Sequence, residues 1–408
     1  MKERILSTSV VVAALGYFVD IYDLLLFGIV RVPSLKALGI SGSDLLQQGV
    51  YLLNMQMIGM LLGGIVWGIL GDRRGRVQVL FGSILLYSLA NLANAAVTNV
   101  SQYGVLRLIA GFGLAGELGA AITLVSEKMP SAKRGYATAI VAGVGLSGAV
   151  LAGIIAQVLD WRVCYLIGGC LGLLLLILRL KMSESAIYIE SSSHLKNRGD
   201  FFLLFKSRDR LLRYLSCILI GVPVWYVVGI LVTFAPELGK EMGIVEPVYA
   251  AKSIGSAYVG ICLGDLFTGA LSQYFKTRKK VIYLSLLANM ILTPIYLMYG
   301  GRSAGTLYAL CAILGFAGGY WAVFMTTAAE QFGTNLRATV TTTVPNFVRG
   351  AVVPLTAGFQ LFRGYMSLRE SAAVVGVITF AIAWIAAYHL KESYSNDLNF
   401  IERESASV

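Results

Sequence analysis

Six ionisable residues lie where runs of apolar side chains should exclude them: Asp20, Asp23, Arg107, Glu117, Asp265 and Arg349. A charge at the centre of such a run costs roughly 2.5–3.5 kcal/mol on membrane-insertion scales, so each needs a reason. Asp20 and Asp23 are three apart and share one face of a helix. A carboxyl withdrawn from water holds its proton more readily, and a nearby guanidinium reverses that preference. Such a group could load and unload a proton as water reaches it from alternate sides. Arg107 falls at a depth where it could meet Asp23; a permanent structural ion pair is the plainer reading. Glu117 lies among Gly113, Gly116 and Gly119, which permit close helix contact. It reads as a proton site, as a recogniser of a substrate amine or hydroxyl, or as a partner of Arg107, although ten residues of helix separate those two by about 15 Å. Arg349 could anchor a carboxylate or phosphate through its forked guanidinium, or lock onto Asp265, which itself reads as a strut or gate. Among neutral groups, Tyr22, Gln56, Asn346 and the pair Tyr320-Trp321 beside Gly318-Gly319 are candidates to line a solute cavity. Interhelical hydrogen bonding, worth about 0.6 kcal/mol on average, is the alternative for such groups.

The elements that hold these residues follow from composition. The chain has 408 residues, 57% hydrophobic and 13% charged, with a mean hydropathy of +0.74. That charged share is about half the usual one, too little for a soluble surface or for disorder. Twelve stretches approach the ~20 apolar residues that span a bilayer. The first six are 6–30, 48–71, 77–98, 102–126, 135–158 and 161–180; the second six are 213–235, 250–273, 280–300, 304–329, 337–362 and 370–390. The expectation is an all-α membrane protein with a first six-helix bundle (1–180), a polar linker (181–212), a second bundle (213–392) and a tail (393–408). Five scattered cysteines, two histidines and the lack of a CxxC or HExxH pattern suggest no disulfide framework, metal or other cofactor. Nor do they offer a nucleophile–base set, so an enzyme is not expected.

The formal net charge of +11 raises nucleic acid as a partner. Its distribution makes that unnecessary. With both ends of the chain on one side, 23 of the 33 Lys and Arg fall on that side, 8 on the other, and Arg107 and Arg349 inside spans. The positive-inside rule then places both termini in the cytoplasm of a plasma membrane, a bacterial inner membrane in the first instance. The basic linker could also touch anionic lipid.

The two halves repeat. Glu127 and Arg134 follow the fourth span and Glu330 and Arg337 the tenth, at an offset of 203; Gly111 matches Gly315 at 204. Gly68-Ile-Leu-Gly-Asp72-Arg73-Arg74-Gly75-Arg76 follows the second span, and Gly269 to Lys280 follows the eighth at an offset of 201, with Gln273 where the first half has Asp72. The GxxxDRxGR stretch and Arg107-x-x-x-Gly111-x-Gly113 resemble signatures of the major facilitator superfamily. Asp20-Ile-Tyr22-Asp23, Gly113-Leu-Ala-Gly116-Glu117, Asp160-Trp161-Arg162, Ser183-Glu184-Ser185 and Lys391-Glu392-Ser393 look more narrowly like its metabolite:proton symporter and sugar porter branches. Gly148-Ala149 stands where drug antiporters often carry Gly-Pro.

The resemblance implies a major facilitator fold of two pseudo-symmetric bundles, with Asp23 and Arg107 as a switchable pair and Asp20 and Glu117 as further proton-coupling candidates. Gly68, Asp72, Arg73, Gly75, Arg76, Glu127, Arg134, Asp265, Glu330 and Arg337 are expected to gate. The function expected is proton-coupled import of a small polar organic solute, a carboxylate or amino acid first, by a monomer exposing its site to each side in turn. A sugar or other neutral metabolite symporter and a drug or metabolite exporter are the alternatives.

Overall fold

The computed structural model describes residues 8–42, 44–128, 131–180, 201–394 and 402. Twelve rods run through it. In the first half these are α1 (Thr8–Ala37), α2 (Asp44–Arg74), α3 (Arg76–Asn94), α4 (Val100–Leu114, resuming as Glu117–Lys128), α5 (Ser131–Ile155) and α6 (Trp161–Arg179). The second half has α7 (Arg208–Leu219, then Val222–Tyr226 and a π-turn Val227–Val232), α8 (Ala250–Tyr274) and α9 (Lys279–Tyr299). It continues with α10 (Ala304–Gly318, resuming as Trp321–Glu330), α11 (Thr334–Gly350, resuming as Val352–Arg363) and α12 (Leu368–His389). Ten rods are long and apolar enough to cross a membrane. The shorter apolar Ile140–Ile155 of α5 and the jointed α11 complete the twelve.

Most elements match the expected stretches within a turn, but α1 does not. It continues past Arg31 and through Pro33 to Ala37, because Arg31 is buried and paired and so does not end the span. Likewise α7 begins at Arg208, five residues before the apolar run suggests.

Large apolar side chains such as Leu89, Val105, Ile154, Ile177, Leu266 and Val377 face outward, while Asp20, Asp23, Arg107, Glu117 and Arg349 are buried among the helices. This polarity suits hydrocarbon surroundings, where charges turn toward the bundle interior.

Within the first half α1 packs on α5, α2 on α4 and α3 on α6; in the second α8 packs on α10 and α9 on α12. The halves meet along α2–α11 and α5–α8. The close backbone contacts of α2 on α4 recur glycine for glycine in α8 on α10. An added Cβ on Gly59 or Gly63 of α2 would lie 2.1 Å from the Leu108 carbonyl or 2.3 Å from that of Phe112, both on α4. Gly260 and Gly264 of α8 stand at 2.0 Å and 2.2 Å from the carbonyls of Ala312 and Phe316 on α10. In return Gly111 and Gly315 each stand 2.0 Å, by the same measure, from the carbonyls of Gln56 and Ala257. The offsets of 201 and 204 read from the sequence therefore recur as one packing solution used twice, in which small residues let backbones touch. Between α2 and α3, Gly75 adopts φ 101°, a value that favours glycine and turns the chain within one residue.

Gly111→Val and Gly315→Val should each lower the thermal unfolding midpoint of detergent-purified protein, since overpacking costs about 1–3 kcal/mol. Gly143→Val, with open space where its Cβ would stand, should leave the midpoint in place.

Candidate functional site

The buried charges of the first half come from α1, α4 and α6, and α3 adds the buried amide of Asn91. Glu117 opens the second segment of α4, where a break after Leu114 turns the chain. It pairs with Arg179 on the last turn of α6 through two hydrogen bonds, Arg179 Nη1 donating to Oε2 at 2.9 Å and Nη2 donating to Oε1. Both are buried. Gly16 of α1 makes room, because a Cβ there would run into Arg179 Nη2 and Glu117 Oε1. Arg107 is therefore not the partner of Glu117, and Arg179, counted with the basic rim by hydropathy, belongs to the interior.

Arg107 instead donates from Nη2 to Asn91 Oδ1 at 3.0 Å and from Nη1 to the Tyr165 hydroxyl at 3.4 Å, with its guanidinium carbon 5.2 Å from the Tyr165 ring centre. The charges of Arg107 and Asp20, and the neutral amide of Asn91, act on Asp23. Asp23 packs on bare backbone, and a Cβ on Gly168 of α6 would approach its Oδ1 to 2.2 Å. Neither carboxylate oxygen of Asp23, nor either of Asp20, accepts a hydrogen bond from the described residues. Two fully buried carboxyls thus lack such partners, with arginines among the charges that act on them.

Asp20 differs from Asp23 in where its cation comes from. Arg349, on α11 of the other half, acts on it, along with Glu117 and Arg179. Arg349 is 1% exposed. It contacts Asn346 Oδ1 at 3.5 Å and lies 5.9 Å from the Trp321 ring centre, and its Nε has no partner among the described residues. It is not locked on Asp265. That carboxylate accepts the Ala322 amide at 3.0 Å. It thus caps the second segment of α10, where the break at Gly319-Tyr320 frees backbone donors. Thr268 closes the other side of the break by donating to the Gly319 carbonyl at 2.6 Å.

Several expected cavity residues are committed to packing. Tyr22 donates to the Cys164 carbonyl at 3.0 Å, Tyr320 to that of Ile220 at 2.7 Å, and Gln56 to that of Leu24 at 2.9 Å. Asn346 donates to the carbonyls of Ala115 and Thr342, both at 2.8 Å, and so bridges the halves. Trp321 keeps its indole N–H without a partner among the described residues.

On the basic face, the side chains of Asp72, Arg76, Glu127 and Arg134 lie outside the described residues; Arg73 is exposed. Gly68 meets Thr343 of α11 in ordinary contact. In the second half Arg278 pairs with Glu330 at 3.1 Å, Ser393 donates to Glu330 at 2.8 Å, and Arg337 donates to the carbonyls of Ala329 and Phe332. Gln273 accepts the Tyr394 hydroxyl at 3.0 Å. Burial pushes the Glu392 carboxyl up. The Thr277 hydroxyl and the amides of Arg278, Tyr394 and Lys279 outweigh that and hold it below its ordinary range. Its contribution to stability is therefore present at neutral pH and is lost only as pH falls through that lowered value.

Glu117→Gln leaves Arg179 buried without its counter-charge, a loss of about 3–5 kcal/mol for a broken buried pair. The unfolding midpoint should fall sharply, and Glu117→Gln with Arg179→Met should recover most of it. A midpoint unmoved by Glu117→Gln would remove the pair from the framework.

Comparison with known proteins agrees with this architecture. A profile of the Major Facilitator Superfamily matches residues 13–353. The 3-(3-hydroxy-phenyl)propionate transporter of Escherichia coli (strain K12) is 29% identical over 83% of this chain and 84% of its own. A sialic acid transporter of the same strain is 26% identical over 91% of this chain and 90% of its own. The crystal structure of a D-xylose-proton symporter superposes with a TM-score of 0.72 at 16% identity, covering 95% of this chain and 98% of that one. The chain belongs to the Major Facilitator Superfamily: it is an integral membrane secondary transporter and not an enzyme.

Proposed function

We propose that this transporter is a symporter that moves a small organic carboxylate together with a proton. The observation that carries the reading is the placement of Asp20 and Arg349. The two charges come from opposite halves, both are buried, and neither is bound in an ion pair of its own among the described residues. A substrate carboxylate that engages Arg349 through its fork would satisfy the guanidinium from outside the chain. Asp20 would then lose the cation that favours its charged form and would take up a proton. Release of substrate would restore Arg349 to Asp20 and expel the proton. Asp23 and Arg107 supply a second switchable pair close by, within the first half. Both relatives named above transport, by their names, organic acids.

The excess of Lys and Arg on one rim supports an orientation with that face in the cytoplasm, and uptake as the direction of net transport. Access then alternates as the halves rock about the α2–α11 and α5–α8 junctions, with residues 1–180 and 213–392 as the moving bodies.

Purified protein in liposomes should accumulate an aromatic or sugar carboxylate when the proton gradient points inward, and lose that accumulation with a protonophore. Movement indifferent to the gradient sinks the coupling. Asp20→Asn and Asp23→Asn should abolish accumulation while leaving counterflow exchange. Arg349→Ala should weaken binding of the anionic solute by at least about tenfold, the scale of 1.4 kcal/mol. Unaltered affinity, or transport of neutral sugars alone, would move recognition elsewhere.

A further inference from the structure

On the face opposite the basic rim, Arg31 of α1 reaches across to the other half. Its guanidinium pairs with Glu237 at 2.6 Å, donates to the Thr233 carbonyl at 3.3 Å and lies 4.7 Å from the Phe234 ring centre. Those partners follow the π-turn Val227–Val232 of α7. Arg31 is fully buried, and Glu237 is 19% exposed. Gly49 of α2 makes the space, since a Cβ there would stand 2.8 Å from Arg31 Cδ. The arrangement is a latch between the halves on that face.

A line of hydroxyls runs from this latch to Arg107. Ser34 donates to the Arg31 carbonyl at 3.0 Å, Tyr103 donates to Ser34 Oγ at 3.4 Å, and the hydroxyls of Tyr103 and Tyr165 lie 2.6 Å apart. Arg107 Nη1 donates to Tyr165 at 3.4 Å. All five residues are buried. The line has one sense. Tyr165 accepts a hydrogen bond from Arg107 and can donate its hydroxyl to Tyr103; Tyr103 donates to Ser34; Ser34 donates to the latch residue's backbone. Chains with one sense polarise together, and loss of the first donor weakens every later link. Pro33 sits beside Ser34, inside α1. It removes one backbone hydrogen bond from that turn and leaves the segment carrying Arg31 and Ser34 able to tilt.

We propose that Ser34, Tyr103 and Tyr165 transmit the position of Arg107 to the Arg31–Glu237 latch, so that this face opens when Arg107 turns from Tyr165 to Asp23. The proposal rests on Asp23 and Arg107 being a switchable pair, and assigns positioning roles to three hydroxyls and two latch charges. In the latched arrangement Arg107 donates through Nη2 to Asn91 at 3.0 Å and through Nη1 to Tyr165 at 3.4 Å, and its Nε has no partner among the described residues; the Tyr165 link is the longer of the two, so a turn of the guanidinium toward Asp23 is taken to give it up first.

The test is a distance measurement between spin labels at Lys36→Cys and Val245→Cys, both exposed and on opposite sides of the latch. It uses the full chain in lipid nanodiscs, with the five native cysteines replaced. Glu237→Gln should raise the long-distance population about tenfold, within the range of ordinary coupling between sites. Asp23→Asn should lower it by a similar factor. In a Tyr165→Phe background, which keeps the ring under Arg107, Asp23→Asn should shift nothing, because the link is already cut. Tyr103→Phe cuts the same line one step outward and should give the same result, and serves if Tyr165→Phe does not fold. An Asp23→Asn shift of equal size in either background overturns the proposal, as does no shift in the intact chain. The readout needs no solute, so a failure of proton-driven accumulation in liposomes would sink the symport reading and leave this result standing on its own.

Discussion

In hydrocarbon no water completes a half-satisfied polar group, so a buried charge without a partner inside the protein carries a cost. The architecture follows from that constraint. Helices come close enough to share charges only where side chains are missing, and glycines stand at those points. Gly16 makes room for Glu117 and Arg179, Gly168 for Asp23 and Gly49 for Arg31, as Gly59, Gly63, Gly260 and Gly264 let whole helices touch. A methyl group at any of the first three would displace part of a charged side chain, so these positions serve the electrostatics as much as the packing.

The same constraint explains how broken helices persist at this depth. Each break frees backbone donors and acceptors, and those in α10 and α4 are closed by side chains from neighbouring rods. Asp265 and Thr268 of α8 close the break in α10. Asn346 of α11 takes the Ala115 carbonyl at the break in α4, while Trp67 donates to Phe112 just before it. The breaks place Glu117 and Trp321 at the start of fresh helical segments, where each faces the interior. Residues that look like substrate ligands by type are thus often the fastenings that let a helix break at all.

Where the sequence was legible, it was so because a charge inside an apolar run is conspicuous. Asp20, Asp23, Arg107, Glu117 and Arg349 all prove buried, and the repeat offsets reappear in the packing of α2 on α4 and α8 on α10. Arg31 and Arg179 escaped notice because they stand within the last turns of their apolar runs. There a hydropathy count assigns a charge to the rim, although the folded helix turns it inward. Tyr103 and Tyr165 carry no signal that separates a hydroxyl in a polar chain from a ring in a core. Direction was the other blind spot. Tyr22, Gln56, Tyr320 and Asn346 are polar residues inside spans, and only the fold shows that each donates to a backbone carbonyl.

The ion pairs sort into two kinds by which rods carry them. Glu117 with Arg179, and Arg278 with Glu330, lie within one half, so each pair keeps its geometry if that half moves as a body. Arg31 with Glu237 joins one half to the other, and the field of Arg349 on Asp20 crosses the same junction. Relative motion of the halves changes only the second kind. Pairs of the first kind hold a shape; those of the second are made or lost as the halves move. A buried charge loses much when its partner leaves, so each cross-half pair can part only if something replaces that partner. At Arg349 the replacement would be a substrate anion, and at Asp20 a proton. At Arg31 water from that face would be the available replacement, so on the proposal above the pair could part without a ligand of its own. In the cycle proposed above, the outer junction would therefore yield to solvent once Arg107 has turned, whereas the central one would yield only to substrate and proton together.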